Sequence, residues 1–107
     1  EDVQDARAFA RNFWVDVKGD TIPCPGVGFR WRSVPFNELA YAYDGGCTVY
    51  FNRRHRWGWW KLCATMIHEY GHIIGLPHTG NPWSIMYPED GGQAWYPRFS
   101  WCEYETE

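Results

Sequence analysis

Apolar side chains recur at helical spacing in two stretches of this chain. The first stretch, 2–14, places its apolar residues on one helical face and its amide and charged residues elsewhere. This apolar face contains Val3, Ala6, Phe9, Ala10, Phe13 and Trp14. The second stretch, 57–74, has its packing positions at Leu62, Met66, Ile67, Tyr70 and Ile73. The pattern predicts an amphipathic packing helix near the start of the chain and a longer central helix.

The region between these helices has a period of two. Residues 27–34 alternate between two faces, one of them polar, as expected for a half-exposed strand. Pro35 ends this strand, and 39–43 forms a second short strand before the glycine-containing turn at 44–46. Residues 47–51 are β-branched and aromatic, and they form a third strand.

The remaining segments are loop-rich. Two prolines lie within 19–28, which is typical of a connecting loop, and the chain past His78 has no regular period. Near the end, Ser100 and Glu103 have the spacing of a capping box. This spacing predicts a short terminal helix.

The composition describes one domain of 107 residues, in which 45% of residues are hydrophobic and 20% are aromatic. We expect a core built from a few bulky rings. The net charge of −3 is too small to indicate nucleic acid or an anionic membrane as a partner. No apolar run has the length of a membrane span and no signal peptide is present, so we expect a mature or trimmed chain.

The four cysteines are far apart and lack the close pairs of structural zinc or redox motifs. They are Cys24, Cys47, Cys63 and Cys102. Two disulfides in an oxidising compartment are expected, most simply in a secreted protein. The alternative is four buried free thiols in the cytosol. The sequence allows three pairings.

The candidate chemistry lies at the end of the central helix. His68 and His72 are four residues apart, so their imidazoles point toward a common position on one helical face. Glu69 lies about 100° around the helix, where its carboxylate can act as a general base without binding the metal. Gly75 can adopt the left-handed conformation that ends a helix and turns His78 back as a third ligand. Three imidazoles leave one position open, as in catalytic zinc sites.

The string 68–78, followed by Met86, resembles the metzincin zinc endopeptidases and, within them, the matrixins. Gly71 precedes the second zinc histidine, Leu76 follows the helix-ending glycine, and Met-Tyr-Pro stands at 86–88. The resemblance implies a metzincin-like α+β fold, with a small twisted mixed sheet, an antiparallel edge strand, an N-terminal helix and an active-site helix. It also implies a single catalytic domain over 1–107, with an upper subdomain at 1–78 and a small loop-rich lower one at 79–107.

The resemblance also implies roles for further residues. Met86 forms an apolar floor beneath the imidazoles. An extended substrate pairs with the edge strand and its surroundings, at Leu39, Ala40, Tyr41, Ala42, Tyr87 and Pro88. We favour disulfides between Cys24 and Cys47 and between Cys63 and Cys102, because the expected fold places those segments side by side.

The chain departs from the matrixin pattern at two supporting metal sites. Histidines that hold a structural zinc in matrixins read here as Tyr41 and Tyr50, and tyrosine is a poor substitute for imidazole. Acidic residues that bind calcium read as Asn52, Arg53 and Arg54, which do not supply the oxygen ligands that calcium requires. We expect one catalytic Zn²⁺, no structural zinc and no matrixin-type calcium.

The leading hypothesis is a secreted zinc endopeptidase that acts on protein or peptide substrates as a monomer, with no nucleic-acid or membrane partner. A second hypothesis is a cell-wall peptide hydrolase whose basic, Trp-rich run at 53–60 holds an anionic glycan. A third is a catalytically silent binding module stabilised by zinc, against which the intact Glu69 argues. His55 has no ligand spacing to the other histidines and is expected at the surface.

Overall fold

The computed structural model describes residues 2–33, 38–88, 95 and 99–103. Helix α1 spans Asp2–Arg11 and continues as a π-helix over Asn12–Val17. Strands β1, β2 and β3 span Gly28–Arg32, Ala40–Tyr41 and Thr48–Asn52. Helix α2 spans Trp59–Ile74, and a 3₁₀ turn spans Ser100–Cys102. The described residues form a small α+β structure, and none of their helices is long and apolar enough to cross a membrane.

The sheet is mixed, with β3 in the middle. Strand β1 runs parallel to β3, with Arg30 opposite Tyr50 and Arg32 opposite Asn52. Strand β2 runs antiparallel to β3 on its other side, with Tyr41 opposite Tyr50. Strand β2 is therefore an edge strand, as expected, although it is shorter than the predicted 39–43.

The two α-helices pack against each other through small residues. Ala6 and Ala10 on α1 are both 0% exposed, which allows close approach of the α2 backbone. Just beyond α1, the Trp14 indole is buried and its Nε1–H donates to the Ile67 carbonyl at 2.7 Å. This bond compensates the burial of a polar indole group and fixes α1 against the middle of α2.

The core contains fewer buried rings than its composition suggests. The largest fully buried side chains include Phe51 and also Leu39, Met66, Ile67 and Ile73. Most of the tryptophans are instead half-buried around this aliphatic centre. A large indole is rarely covered completely in a small domain, so the rings surround the core and do not fill it.

Both favoured disulfides are present. Cys24 bonds Cys47, joining the loop before β1 to the start of β3. Cys63 bonds Cys102, joining α2 to the 3₁₀ turn. Beside the second bond, Trp59 Nε1–H donates to the Cys102 carbonyl at 2.6 Å. The 3₁₀ turn is therefore attached to the N-terminal part of α2.

Two local predictions differ from the structure. Ser100 does not cap a helix: it begins the 3₁₀ turn, and Phe99 occupies the cap position without a side-chain hydrogen bond. The first predicted helix continues past Arg11 with π-type bonding, in which the Lys18 N–H donates to the Phe13 carbonyl. Val34 and Pro35, and the predicted lower subdomain beyond 88 except 95 and 99–103, lie outside the described residues.

Candidate metal centre and cleft

The end of helix α2 places the histidines predicted as metal ligands. His68 and His72 lie one turn apart, and Gly75 ends the helix in the left-handed conformation with a φ of 112°. The Leu76 N–H then donates back to the Gly71 carbonyl at 2.9 Å, which closes the helix end. The reversal brings His78 to the two helical histidines.

The three imidazoles form a nearly equilateral triangle. Each pair of Nε2 atoms of His68, His72 and His78 is separated by 3.2 Å. Tetrahedral zinc with Zn–N bonds of about 2.0–2.1 Å requires separations of about 3.3–3.4 Å between its nitrogen ligands. Among the described residues, these three form the group placed to hold a metal ion. The donor set therefore fits zinc in number, chemistry and spacing.

Backbone carbonyls fix the orientation of two ligands. His68 Nδ1 lies 2.6 Å from the Ile85 carbonyl oxygen, and His72 Nδ1 lies 2.9 Å from the Leu76 carbonyl oxygen. A carbonyl only accepts hydrogen bonds, so Nδ1 carries the proton in both rings and the Nε2 lone pairs face the centre of the triangle.

Burial keeps these two rings neutral. Desolvation lowers the pKa of His68 to about 4, against a smaller opposing effect of the Ile85 hydrogen bond. Desolvation also lowers the pKa of His72. These two imidazoles are therefore uncharged at neutral pH, which is the form that binds a metal.

Glu69 lies at the base of the cleft that the histidines border. Its side chain is 1% exposed, yet it lines this cleft of about 350 Å³ together with His72 and His78. The cleft is also lined by Glu38, Ala40, Tyr41, Ala42 and Pro88. A carboxylate held here lies within the space that a substrate would enter, as a general base requires.

Met86 lies beneath the helix, close to the histidines. Its side chain is buried against Gly71, where a Cβ atom would collide with Met86 Sδ and lie 2.9 Å from the Trp14 ring. The Met86 carbonyl accepts from the Thr79 N–H at 3.1 Å, which closes the loop that follows His78. The glycine before the second histidine is thus required by close packing.

The predicted substrate strand is only partly directed toward the cleft. The Leu39 carbonyl accepts from the Asn52 N–H at 2.8 Å, and its side chain is buried, so Leu39 is not among the residues that line the cleft. Because antiparallel pairing alternates, the backbone of Ala40, and that of Ala42 one pleat further on, face away from β3. Tyr87 is half-buried and also absent from the lining, whereas Pro88 lines the cleft.

The structure adds three groups that the sequence did not indicate. Glu38 brings a carboxylate to the cleft from just before β2. The Ile85 carbonyl orients His68, and the Trp95 ring lies 5.1 Å from the His68 ring. Backbone carbonyls leave no residue signal, and Trp95 lies in a segment without any periodic pattern, so only the polar character of Glu38 was available as a clue.

At the two positions where the matrixin pattern has zinc-binding histidines, this chain carries a stacked pair of tyrosines. The rings of Tyr41 and Tyr50 lie 4.7 Å apart at an angle of 17°. The Arg32 guanidinium lies 4.3 Å from the Tyr50 ring centre, and its Nη1 donates to the Tyr41 hydroxyl at 2.9 Å. Stacking and cation–π contacts therefore join the three strands on this face.

A three-histidine cluster with a glutamate directly after its first histidine, beside an open sheet edge, defines a metalloprotease-type site. The chain belongs to the matrixin family, because the sequence profile of that family, Matrixin (Peptidase M10), matches residues 33–93. This match includes the edge strand, the whole of α2 and the loop with Met86.

Individual relatives agree with this assignment. The chain is 32% identical to matrilysin from Felis catus over 84 residues, covering 70% of this chain and 29% of that protein. It is 34% identical to stromelysin-2 from Rattus norvegicus over 85 residues, covering 72% and 16%. It is 41% identical to matrix metalloproteinase-26 from Homo sapiens over 44 residues, covering 37% and 17%.

The chain therefore spans less than a third of the length of each of these relatives. No solved structure matches it significantly. Family membership supports a metalloprotease-type function with zinc as the metal.

Proposed function

We propose that this chain is the catalytic region of a secreted zinc endopeptidase that cleaves internal peptide bonds of extended substrates. The observation that carries the proposal is the triangle of Nε2 atoms at 3.2 Å, bordering a cleft that also contains the Glu69 carboxylate. The single-domain organisation over 1–107, divided at His78, and a monomeric state free of nucleic acid and membrane are parts of the same proposal.

The metal is held by His68, His72 and His78. When bound, zinc supplies the Lewis acidity that acidifies water and polarises a carbonyl group. Glu69 accepts the proton of the attacking water on a carboxylate oxygen and then donates it to the leaving nitrogen. No covalent bond to the protein is needed, because the nucleophile is water. Met86 contributes only packing beneath the imidazoles.

Strand β2 positions the substrate. An extended peptide adds to the free edge through the backbone of Ala40 and Ala42, so affinity comes from main-chain hydrogen bonds and selectivity comes from side-chain pockets. The buried side chain of Leu39 anchors this strand in the core, and Pro88 lines the opposite side of the cleft. Tyr41 lies on the rim, and Tyr87 supports the Met86 loop. This arrangement favours flexible or unfolded protein segments.

A single metal per chain is also proposed. The stacked pair of Tyr41 and Tyr50 stands where a structural zinc would need imidazoles, and Arg53 and Arg54 stand where calcium would need carboxylates. The two disulfides take over the stabilising role. Elemental analysis of the folded protein should find one zinc per chain, with His72→Ala close to none. Two zincs, or calcium that survives dialysis, would contradict this.

The test of function is hydrolysis of a peptide library by the zinc-loaded, disulfide-bonded chain, with the products sequenced. Glu69→Gln keeps the size of the side chain and removes the base, so we expect a loss of at least about 100-fold in turnover at unchanged zinc content. Unchanged turnover would rule out the base assignment. A folded, zinc-loaded chain that cleaves no peptide would instead support the silent binding module.

A parallel assay on peptidoglycan separates the cell-wall alternative. The similarity to matrilysin and stromelysin-2 favours protein substrates over cell-wall substrates for this chain. We therefore expect cleavage of casein or gelatin peptides and no release of cell-wall peptides. The reverse pattern would replace the proposed substrate class while leaving the zinc site and Glu69 in their roles.

A further inference from the structure

Half of the chain's 10 Lys and Arg residues lie in β1 or directly after β3. We call this surface the basic face, and it consists of Arg30, Arg32, Arg53, Arg54 and Arg56. All of these residues are exposed, and none forms an ion pair with a residue in the described ranges. Because the whole chain has a net charge of −3, the basic face is a local concentration of positive charge.

The sheet brings the two groups of arginines together. Strands β1 and β3 are parallel, so their carboxyl ends are neighbours, and the Arg53 N–H donates to the Arg32 carbonyl at 2.9 Å. Arg30 and Arg32 are two residues apart on one strand, so they project from the same face about 6–7 Å from each other. The five arginines are therefore carried on adjoining backbone that extends over more than the length of a single small anion.

The turn after β3 is built around one buried side chain. Asn52 is 1% exposed; its Oδ1 accepts from the Arg54 N–H at 3.0 Å and its Nδ2 donates to the Glu38 carbonyl at 2.8 Å. The Trp57 Nε1–H donates to the Asn52 carbonyl at 2.8 Å. The backbone that carries the arginines is thereby fixed, which lowers the entropy cost of binding a ligand across them.

We propose that the basic face binds an extended sulfated polysaccharide. Guanidinium groups recognise the oxygens of such anions with paired hydrogen bonds. Several guanidinium groups on adjoining backbone fit a linear polyanion better than they fit a single small ion. Two disulfides indicate an oxidising compartment, where polysaccharides and not nucleic acids are the usual polyanions.

The basic face adjoins the cleft without entering it. Arg32 Nη1 donates to the hydroxyl of Tyr41, and Tyr41 belongs to the cleft lining. A bound polysaccharide would therefore lie along the outer face of the sheet and leave the metal centre open. The proposal does not depend on peptidase activity, so it can be tested by binding alone.

The test measures binding of the folded chain to heparin, as column retention and as a dissociation constant at several salt concentrations. Arg53→Gln/Arg54→Gln removes two charges whose side chains make no described contact. We expect retention of the unsubstituted chain above about 0.15 M NaCl, and at least about tenfold weaker binding with a shallower salt slope for this variant. Arg11→Gln/Lys18→Gln, which removes equal charge from exposed positions near α1, should change binding by less than about twofold.

Three results would overturn the proposal. The first is elution of Arg53→Gln/Arg54→Gln together with the unsubstituted chain, and the second is an equal loss in the Arg11→Gln/Lys18→Gln control. The third is equally tight binding of single-stranded DNA, which would make the surface a general polyanion site. If the first variant fails to fold, as judged by its unfolding midpoint, Arg30→Gln/Arg56→Gln provides the same comparison at two other positions of the basic face.

Discussion

Replacing Gly71 with alanine should destabilise the metal centre, although alanine is the better helix former. In the interior of a helix, Gly→Ala alone should stabilise by about 1 kcal/mol. The new Cβ, however, would collide with Met86 Sδ and lie 2.9 Å from a Trp14 ring atom. Overpacking of a core costs about 1–3 kcal/mol. The upper part of that range applies because Trp14 is held by its 2.7 Å hydrogen bond to the Ile67 carbonyl.

We therefore expect Gly71→Ala to lower the free energy of unfolding by about 1–2 kcal/mol after the helix gain is subtracted. Urea unfolding of the zinc-loaded protein measures this directly. The dissociation constant for zinc should also rise, since Met86 must move away beneath the histidines. Gly80→Ala is the matched control: a Cβ there meets nothing within 4 Å, so its effect should stay within about 0.5 kcal/mol.

A double-mutant cycle tests the cause. Met86→Ala alone should cost about 2–5 kcal/mol as a buried large-to-small change. In Gly71→Ala/Met86→Ala the new methyl group occupies part of the vacated space, so the combined cost should be at least about 1 kcal/mol below the sum. Additive costs, or a Gly71→Ala protein that is more stable than the parent, would refute the packing argument.

Three further outcomes are expected. Cys63→Ser/Cys102→Ser should lose about 4 kcal/mol in urea unfolding according to the chain-entropy estimate for a loop of this length, and a loss below about 1 kcal/mol would show that the bridge constrains little. Glu38→Lys should reduce kcat/KM for peptides with a basic side chain about fivefold or more relative to matched neutral peptides, and an unchanged ratio would remove Glu38 from substrate selection. In the zinc-free protein, burial lowers the pKa of His68 to about 4, whereas the unfolded chain keeps a pKa of 6.5. As pH falls from 6.5 toward about 4, the unfolded state therefore binds a proton that the folded state does not. The free energy of unfolding should therefore fall by up to about 3 kcal/mol over that range, beyond the fall seen in His68→Gln, and parallel curves would contradict the assigned pKa.

The parts of the structure that local sequence determines were predictable. Helix α2 begins two residues later than expected and ends at Ile74 as predicted, because its apolar period and Gly75 both act within one or two helical turns. The ligand triangle follows from the same local geometry. The two favoured disulfides are present as well, since the expected order of elements placed the paired segments together.

The contacts that distant segments make at the site itself were not predictable. No local feature of the sequence predicts that the Ile85 carbonyl orients His68, or that the Trp95 ring lies against the His68 ring. The predicted edge strand was too long because its apolar alternation also serves the core, where Leu39 is buried. The spacing of Ser100 and Glu103 matches a capping box, yet the disulfide at Cys102 holds that segment as a single tight turn.

The turn between β2 and β3 determines which side of the cleft can move. The Gly45 N–H donates to the Ile73 carbonyl at 2.9 Å, and the Asp44 carboxylate lies beside Gly75. These two contacts hold the edge strand and the ligand-bearing helix together as one rigid unit. Any widening of the cleft must come from the opposite side, at Pro88. These contacts fix the distance between strand β2 and Glu69, whereas the width of the cleft depends on the facing side at Pro88.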